Sequence, residues 1–257
     1  PYGENPEEAD KIVNCTSHNE ITLQASRESI VLLKNRNSIL PFKKEIKKIT
    51  VCGPNAAAED YAVTHYGPQG VEVVSVLEGI EAEARERNIL VQYTKGCELV
   101  DENWPDSEIL PEPLSEKERK EIQKAVELTE QSDLVIVVVG GGLKTCGESK
   151  SRSSLQLPGR QLNLIKSVHK TGKPVVVVLI NGRPLAINWT NQYVDGIIEA
   201  WYPGSHGGTA VAEVLFGEYN PGGKLTVTFP KCAGQILMNF PAKPFSQSDN
   251  TWSKARV

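Results

Sequence analysis

The segment Leu134-Val135-Ile136-Val137-Val138-Val139-Gly140 contains no polar side chain and is dominated by β-branched residues. Such a run, without polar alternation, suits a strand buried on both faces of a parallel sheet. A strand of that kind requires helices above and below it, which narrows the fold to a layered α/β architecture. The run ends in Gly140-Gly141-Gly142, and a polar loop follows in which Glu148 is the one carboxylate. Leu157-Pro158-Gly159 then restarts regular structure. Ligands of open α/β sheets bind beyond the carboxyl ends of the strands, so Glu148 falls where chemistry is expected.

The flanking sequence repeats the pattern. Ile49–Cys52 reads as a short strand ending at Gly53-Pro54. Val74 to Arg87 has helical spacing, and Ile89–Tyr93 reads as a strand. Ser115 is placed to cap an amphipathic helix reaching about Gln131, with Ile122, Ala125, Val126 and Leu128 as its apolar stripe. Gly159 to Thr171 is a further helix, closed by Gly172. Val175–Ile180 and Gly196–Trp201 are buried strands, and a helix follows His206-Gly207-Gly208 as far as Phe216. Parallel strands joined by crossover helices give a three-layer α/β/α sandwich with a mostly parallel sheet. Ser17-His18-Asn19-Glu20 fits a capping box opening the first helix. Residues 1–16 read as a linker, 17–230 as the sandwich, and 231–257 as an irregular arm in which periodicity is lost.

Composition removes several function classes. The 257 residues carry 28 basic and 32 acidic side chains, a net charge of −4, with no basic excess of the kind nucleic-acid binders show. No apolar run approaches the ~18 residues of a membrane helix. Cys15, Cys52, Cys97, Cys146 and Cys232 are scattered without a C-x-x-C pair, so neither a structural zinc nor a redox dithiol is expected. No cofactor is called for. The opening P-Y-G-E-N-P, without Met or a signal-peptide pattern, reads as the start of a processed or excised piece.

Other motifs compete with Glu148 for a functional role. The fingerprint G-x-G-x-x-G taken from Gly140 fails at Thr145, and a loop intervenes where a helix should start, so a dinucleotide reading is weak. Neither a P-loop nor a G-x-S-x-G elbow occurs. Ser205-His206 reads as a helix cap and not as a nucleophile–base pair. The long loop Asn55–Gly70 carries Tyr61, His65 and Tyr66, whose flat rings suit a sugar or nucleobase face or, equally, a surface loop covering the core. Lys144, Lys150 and Arg152 surround Glu148 in sequence. Nearby cations favour an ionised carboxylate, whereas a general acid has to hold its proton. A second carboxylate close by would reconcile the two, and no comparable loop of this chain offers one.

Several of these segments together resemble the second domain of glycoside hydrolase family 3 enzymes. The similar stretches are E-S-I-V-L-L-K-N (Glu28–Asn35), I-L-P-F (Ile39–Phe42), V-C-G-P-N-A (Val51–Ala56), N-G-R-P (Asn181–Pro184), A-W-Y-P-G-S-H-G-G (Ala200–Gly208) and L-F-G-E-Y-N-P-G-G-K-L (Leu215–Leu225). The Glu148 loop is similar to the family's G-E-G-x-D-R-x-x-L-x-L-P-G, with Ser149 in place of its second Gly and Ser151 in place of its Asp. T-H-Y-G-P (Thr64–Pro68) and the N-F-P-A-K-P tail resemble the bacterial β-glucosidase branch.

That resemblance implies a retaining β-glycosidase, β-glucosidase-like, acting on a β-linked oligosaccharide or glycoside. It implies an N-terminal (β/α)8 barrel that this chain lacks, since such a barrel alone needs about 250 residues. The barrel would supply the nucleophile and Glu148 the general acid/base. His65, Tyr66 and Arg152 become substrate-binding candidates, a periplasmic or secreted location is implied, and the chain alone is expected to be inactive. The rival reading is a non-catalytic carbohydrate-binding or barrel-docking module in which Glu148 only contacts ligand. A nucleotide-binding α/β domain is the more distant one.

Overall fold

A computed structural model describes residue 7 and residues 11–60 and 71–235 of the chain. Its centre is a six-stranded sheet: β1 (Val31–Asn35), β2 (Lys48–Cys52), β3 (Leu90–Thr94), β4 (Leu134–Gly140), β5 (Val175–Ile180) and β6 (Gly196–Trp201). The spatial order is β1-β6-β5-β4-β2-β3. All pairings are parallel except β1 with β6, which is antiparallel. Flanking the sheet are α1 (Thr16–Ser29), α2 (Val76–Glu86), α3 (Glu116–Glu130), α4 (Gln161–His169), α5 (Asn188–Tyr193) and α6 (Gly207–Phe216). The expected three-layer α/β/α sandwich is the observed fold, and the sheet does not close into a barrel.

Every residue of β4 is buried. Alternate side chains supply two separate cores. Leu134, Ile136 and Val138 pack with Val76 and Ile80 of α2 and with Ala210, Val211 and Leu215 of α6. Val135, Val137 and Val139 pack with Ile122 and Ala125 of α3 and with Leu164, Ile165 and Val168 of α4. The absence of polar alternation in this stretch is the direct trace of that double covering. From β2 the chain passes through α2 to β3 on one side. It then crosses through α3 to β4 on the other side of β2. The strand order therefore reverses between β2 and β4, and their carboxyl ends diverge into a crevice.

Two helix starts follow one rule, and a third departs from it. Ser115 Oγ accepts from Glu118 N at 3.2 Å while Glu118 accepts from Ser115 N at 2.7 Å, completing the box at α3. Ser75 and Glu78 form the same box at α2. The box expected at Ser17 is absent. Cys15 sits at the N-cap with no side-chain cap bond (its thiol pairs instead with Ser17 Oγ at 3.3 Å), and its carbonyl already accepts from Asn19 N at 3.0 Å, so α1 begins at Thr16 and Ser17 lies inside its first turn. At α6, His206 occupies the N-cap position but makes no side-chain cap bond. The short helix α5 had no signal in the sequence pattern. Of the expected C-terminal arm, a 3-10 turn at Ala233–Gln235 is described.

The close approach of α2 and α6 depends on glycine. A Cβ on Gly208 would lie 2.0 Å from Ser75 O and 2.5 Å from Val74 O, and one on Gly79 would lie 2.2 Å from Gly208 O. Backbone cannot yield as a flexible side chain can. Gly208→Ala is therefore expected to cost about 1–3 kcal/mol by overpacking, read as a lower urea midpoint. Gly222→Ala, where a Cβ meets nothing within 4 Å, is expected to stay within about 0.5 kcal/mol of the parent.

Candidate active site

At the crevice between β2 and β4, Asn55 Nδ2 donates to Gly141 O at 2.8 Å and ties the two strand exits together. The cleft they open, about 850 Å³, is lined by Tyr93, Asp101, Trp104, Gly142 and Lys144 among others. The chain leaves it through Gly142 and Lys144 and enters the loop carrying Glu148. Thr145 pins that exit: its Oγ1 accepts from Gly142 N at 3.0 Å and donates to Gly142 O at 3.2 Å. Gln161, at the start of α4, is buried beneath it. Its side-chain oxygen accepts from Gly140 N at 2.7 Å and its amide donates to Gly140 O and Leu99 O. The C-terminal end of β4 is thus held by a side chain on the edge that β2 has left, while β5 stays paired with it through Gly140.

Glu148 is exposed and sits in a turn closed by Lys150 N donating to Gly147 O at 3.2 Å. The turn requires φ of +133° at Gly147 and +61° at Ser149. The second value lies in the left-handed region, which glycine enters freely and other residues enter at a cost of roughly 1 kcal/mol. Ser149 thus holds a backbone conformation at a strain that glycine would avoid.

Beyond the turn, Arg152 is drawn inward. Its guanidinium is paired with Glu108, with Nε to Oε1 at 2.7 Å, and its side chain is only 4% exposed against 8% for Glu108. It also donates to Gln156 O at 2.9 Å and lies 5.1 Å above the Trp104 ring. The other Glu108 oxygen accepts from Ser153 N at 3.0 Å and Ser153 Oγ at 2.7 Å. Burial alone would raise the Glu108 carboxyl, but the bonds from Ser153 and Arg152 outweigh it and hold the group below the usual carboxylate range. Among the residues expected at the site, Glu148 and Arg152 therefore share one loop. His65 and Tyr66 lie outside the described residues.

Sequence reasoning missed two acidic residues. Glu108 is one, and it lies in an acidic irregular loop without a pattern to mark it. Glu199 is the other, fully buried on β6. Its carboxyl is pushed up to about 8 by burial, moderated by bonds from Trp201 N and Asn181. Asn181 Nδ2 reaches both its oxygens, at 3.0 and 3.1 Å. Asn181 Oδ1 accepts from Arg183 N at 3.2 Å, and Arg183 donates to Lys150 O at 3.3 Å. A chain of bonds thus runs from the buried end of β6 to the Glu148 turn. The signal was available: Glu199 is the one charged residue in an otherwise apolar strand.

Among the described residues, no cluster of three or more His, Cys, Asp or Glu could hold a metal ion, and no helix is long and apolar enough to cross a membrane.

The structure is a doubly wound α/β sandwich whose longest described strand leads into a carboxylate-bearing loop beside a switch-point crevice. Residues 30–255 match the Glycosyl hydrolase family 3 C-terminal domain, and the chain belongs to that family. It is 41% identical over 234 residues to a β-xylosidase of Formosa agariphila, covering 88% of this chain and 30% of that protein. It is 37% identical over 249 residues to a periplasmic β-glucosidase of Salmonella typhimurium, covering 92% and 32%. The fold superposes on a β-glucosidase from Erythrobacter marinus with a TM-score of 0.80 at 32% identity, covering 95% of this chain and 35% of that one. On a Listeria innocua β-glucosidase in complex with isofagomine the TM-score is 0.75 at 30% identity, over 91% and 30%. The chain spans about a third of the length of these relatives.

The buried Glu199 makes stability depend on pH. The folded chain keeps a proton up to about pH 8 that an unfolded glutamate releases near 4.5, so this group's contribution falls as pH rises through that window. Glu199→Gln is expected to remove that slope: relative to the variant, the parent loses ground between pH 5 and pH 8 in urea unfolding. Parallel curves for the two proteins would contradict it.

Proposed function

We propose that this chain is the part of a retaining β-glycosidase, β-glucosidase-like, that carries the general acid/base, Glu148. The observation behind the reading is the exposed carboxylate in a glycine-shaped turn, directly beyond the buried strand β4, in the loop similar to the family's G-E-G-x-D-R-x-x-L-x-L-P-G. A group that must reach a bond held by another domain has to be exposed in this one. In the first half-reaction Glu148 protonates the glycosidic oxygen as a nucleophilic carboxylate displaces it. In the second, the same group takes a proton from the water that releases the sugar.

The nucleophile belongs to a preceding (β/α)8 barrel, which also holds most of the sugar. Two carboxyls about 5–5.5 Å apart, as retention requires, then keep one proton between them. The charge of the nucleophile answers the difficulty raised by the lysines of the loop. His65 and Tyr66 are proposed to flank the outer sugar. A periplasmic or secreted setting is proposed as well, as the named location of the Salmonella relative suggests.

The test uses a polypeptide carrying this chain behind such a barrel. Glu148→Ala is expected to lower kcat/KM by about 10²–10⁴ for alkyl β-glycosides, whose leaving group needs a proton. Aryl glycosides with acidic phenols should lose far less, and azide should restore turnover with a β-glycosyl azide as product. A uniform rise in KM without leaving-group dependence or azide rescue would support the binding-module reading instead. Turnover of an aryl glycoside by this chain alone would overturn the two-domain account.

A further inference from the structure

We propose that Glu108 is a positioning residue for the reaction: it locks the loop that carries Glu148 through the Glu108–Arg152–Ser153 cluster and so sets where the catalytic proton is delivered. The inference rests on the reading of Glu148 as acid/base and adds to it a residue from a different part of the chain.

Residues 141–160 contain no helix or strand, so the backbone of this loop has no ladder to hold it. Its carboxyl half is fixed by Glu108, which closes the 3-10 turn Asp106–Glu108 in the connection between β3 and α3. Both carboxylate oxygens are committed to the loop, one to the Arg152 guanidinium and the other to the backbone and hydroxyl of Ser153. The pair is almost fully enclosed, and Trp104 closes it from the face of the guanidinium. Buried, multiply bonded ion pairs of this kind fix one geometry, because moving either partner leaves a charge without compensation.

Arg183 also reaches the turn, donating to Lys150 O at 3.3 Å, but that bond is single and exposed, whereas the Glu108 cluster is enclosed and multiply bonded. Glu148 lies four residues before Arg152, so freeing Arg152 would loosen the segment that carries its carboxyl. A misplacement of about 1 Å suffices to cost on the order of 10²-fold in rate. Arg152, with its donors directed to Glu108 and Gln156, then acts through the loop and not on the sugar. Its charge is also taken up away from the acid.

Glu108→Gln keeps the shape and removes the charge. In this chain, amide exchange across residues 147–156 should accelerate while β4 stays protected; unchanged exchange in the loop would overturn the proposal. In the two-domain polypeptide, Glu108→Gln should lower kcat/KM by about 10²-fold for an alkyl β-glycoside and by less than about threefold for an aryl glycoside with an acidic phenol. Added to Glu148→Ala it should cost nothing more, since the two act on one step. Equal losses on both substrates, or no loss on either, would overturn the positioning role. If Glu148→Ala shows the leaving-group split and Glu108→Gln does not, only this inference fails; if Glu148→Ala lacks the split, the acid/base reading fails first. Should Glu108→Gln not fold, the paired change Glu108→Gln with Arg152→Met removes both charges and carries the same comparison.

Discussion

The burial of β4 on both faces is the constraint from which the rest of the molecule follows. Each of its side chains is committed to one of two cores, so the strand has no face left for a ligand and can present only its end. That end is where the strand order reverses between β2 and β4, and it is anchored from below by Gln161 and from the side by Asn55. A loop launched from so rigid a base needs few fixed points of its own. It has them at Thr145, at the Arg183 contact with Lys150, and above all at Glu108.

The parts of this arrangement that were legible in the sequence are those set by local chemistry. β4 and β5 stood out because double burial leaves unbroken apolar runs, β6 because a single charge interrupts an otherwise apolar one, and the start of α3 because Ser115 and Glu118 satisfy each other's backbone donors. The Ser17 box failed for an instructive reason. The same residue types were present, but the Cys15 carbonyl had already begun the helix, and a cap is decided by backbone geometry before side-chain chemistry. Glu108 was illegible because its partner is 44 residues away in a segment with no periodicity. Glu199 was readable as an anomaly, a lone charge in an apolar strand, but its link to the loop through Asn181 and Arg183 depends on tertiary placement.

The same division separates what this domain can do from what it needs. Its own residues shape the turn, hold the loop and expose Glu148. In the proposed mechanism the second carboxyl of the catalytic pair comes from the barrel. Ser149 shows the cost of the turn: the backbone takes a left-handed step at a residue that is not glycine. The loop is then specified less by its own sequence than by the buried groups at its two ends.

The most direct measurement of the central claim is the alkaline limb of kcat/KM against pH, taken with an alkyl β-glycoside on the two-domain polypeptide and on its Glu148→Gln variant. A general acid must be protonated to act, so the parent should lose rate above the carboxyl's apparent pKa and the variant should show no such limb. An alkaline limb that persists unchanged in Glu148→Gln would place the proton donor on another residue and contradict the account.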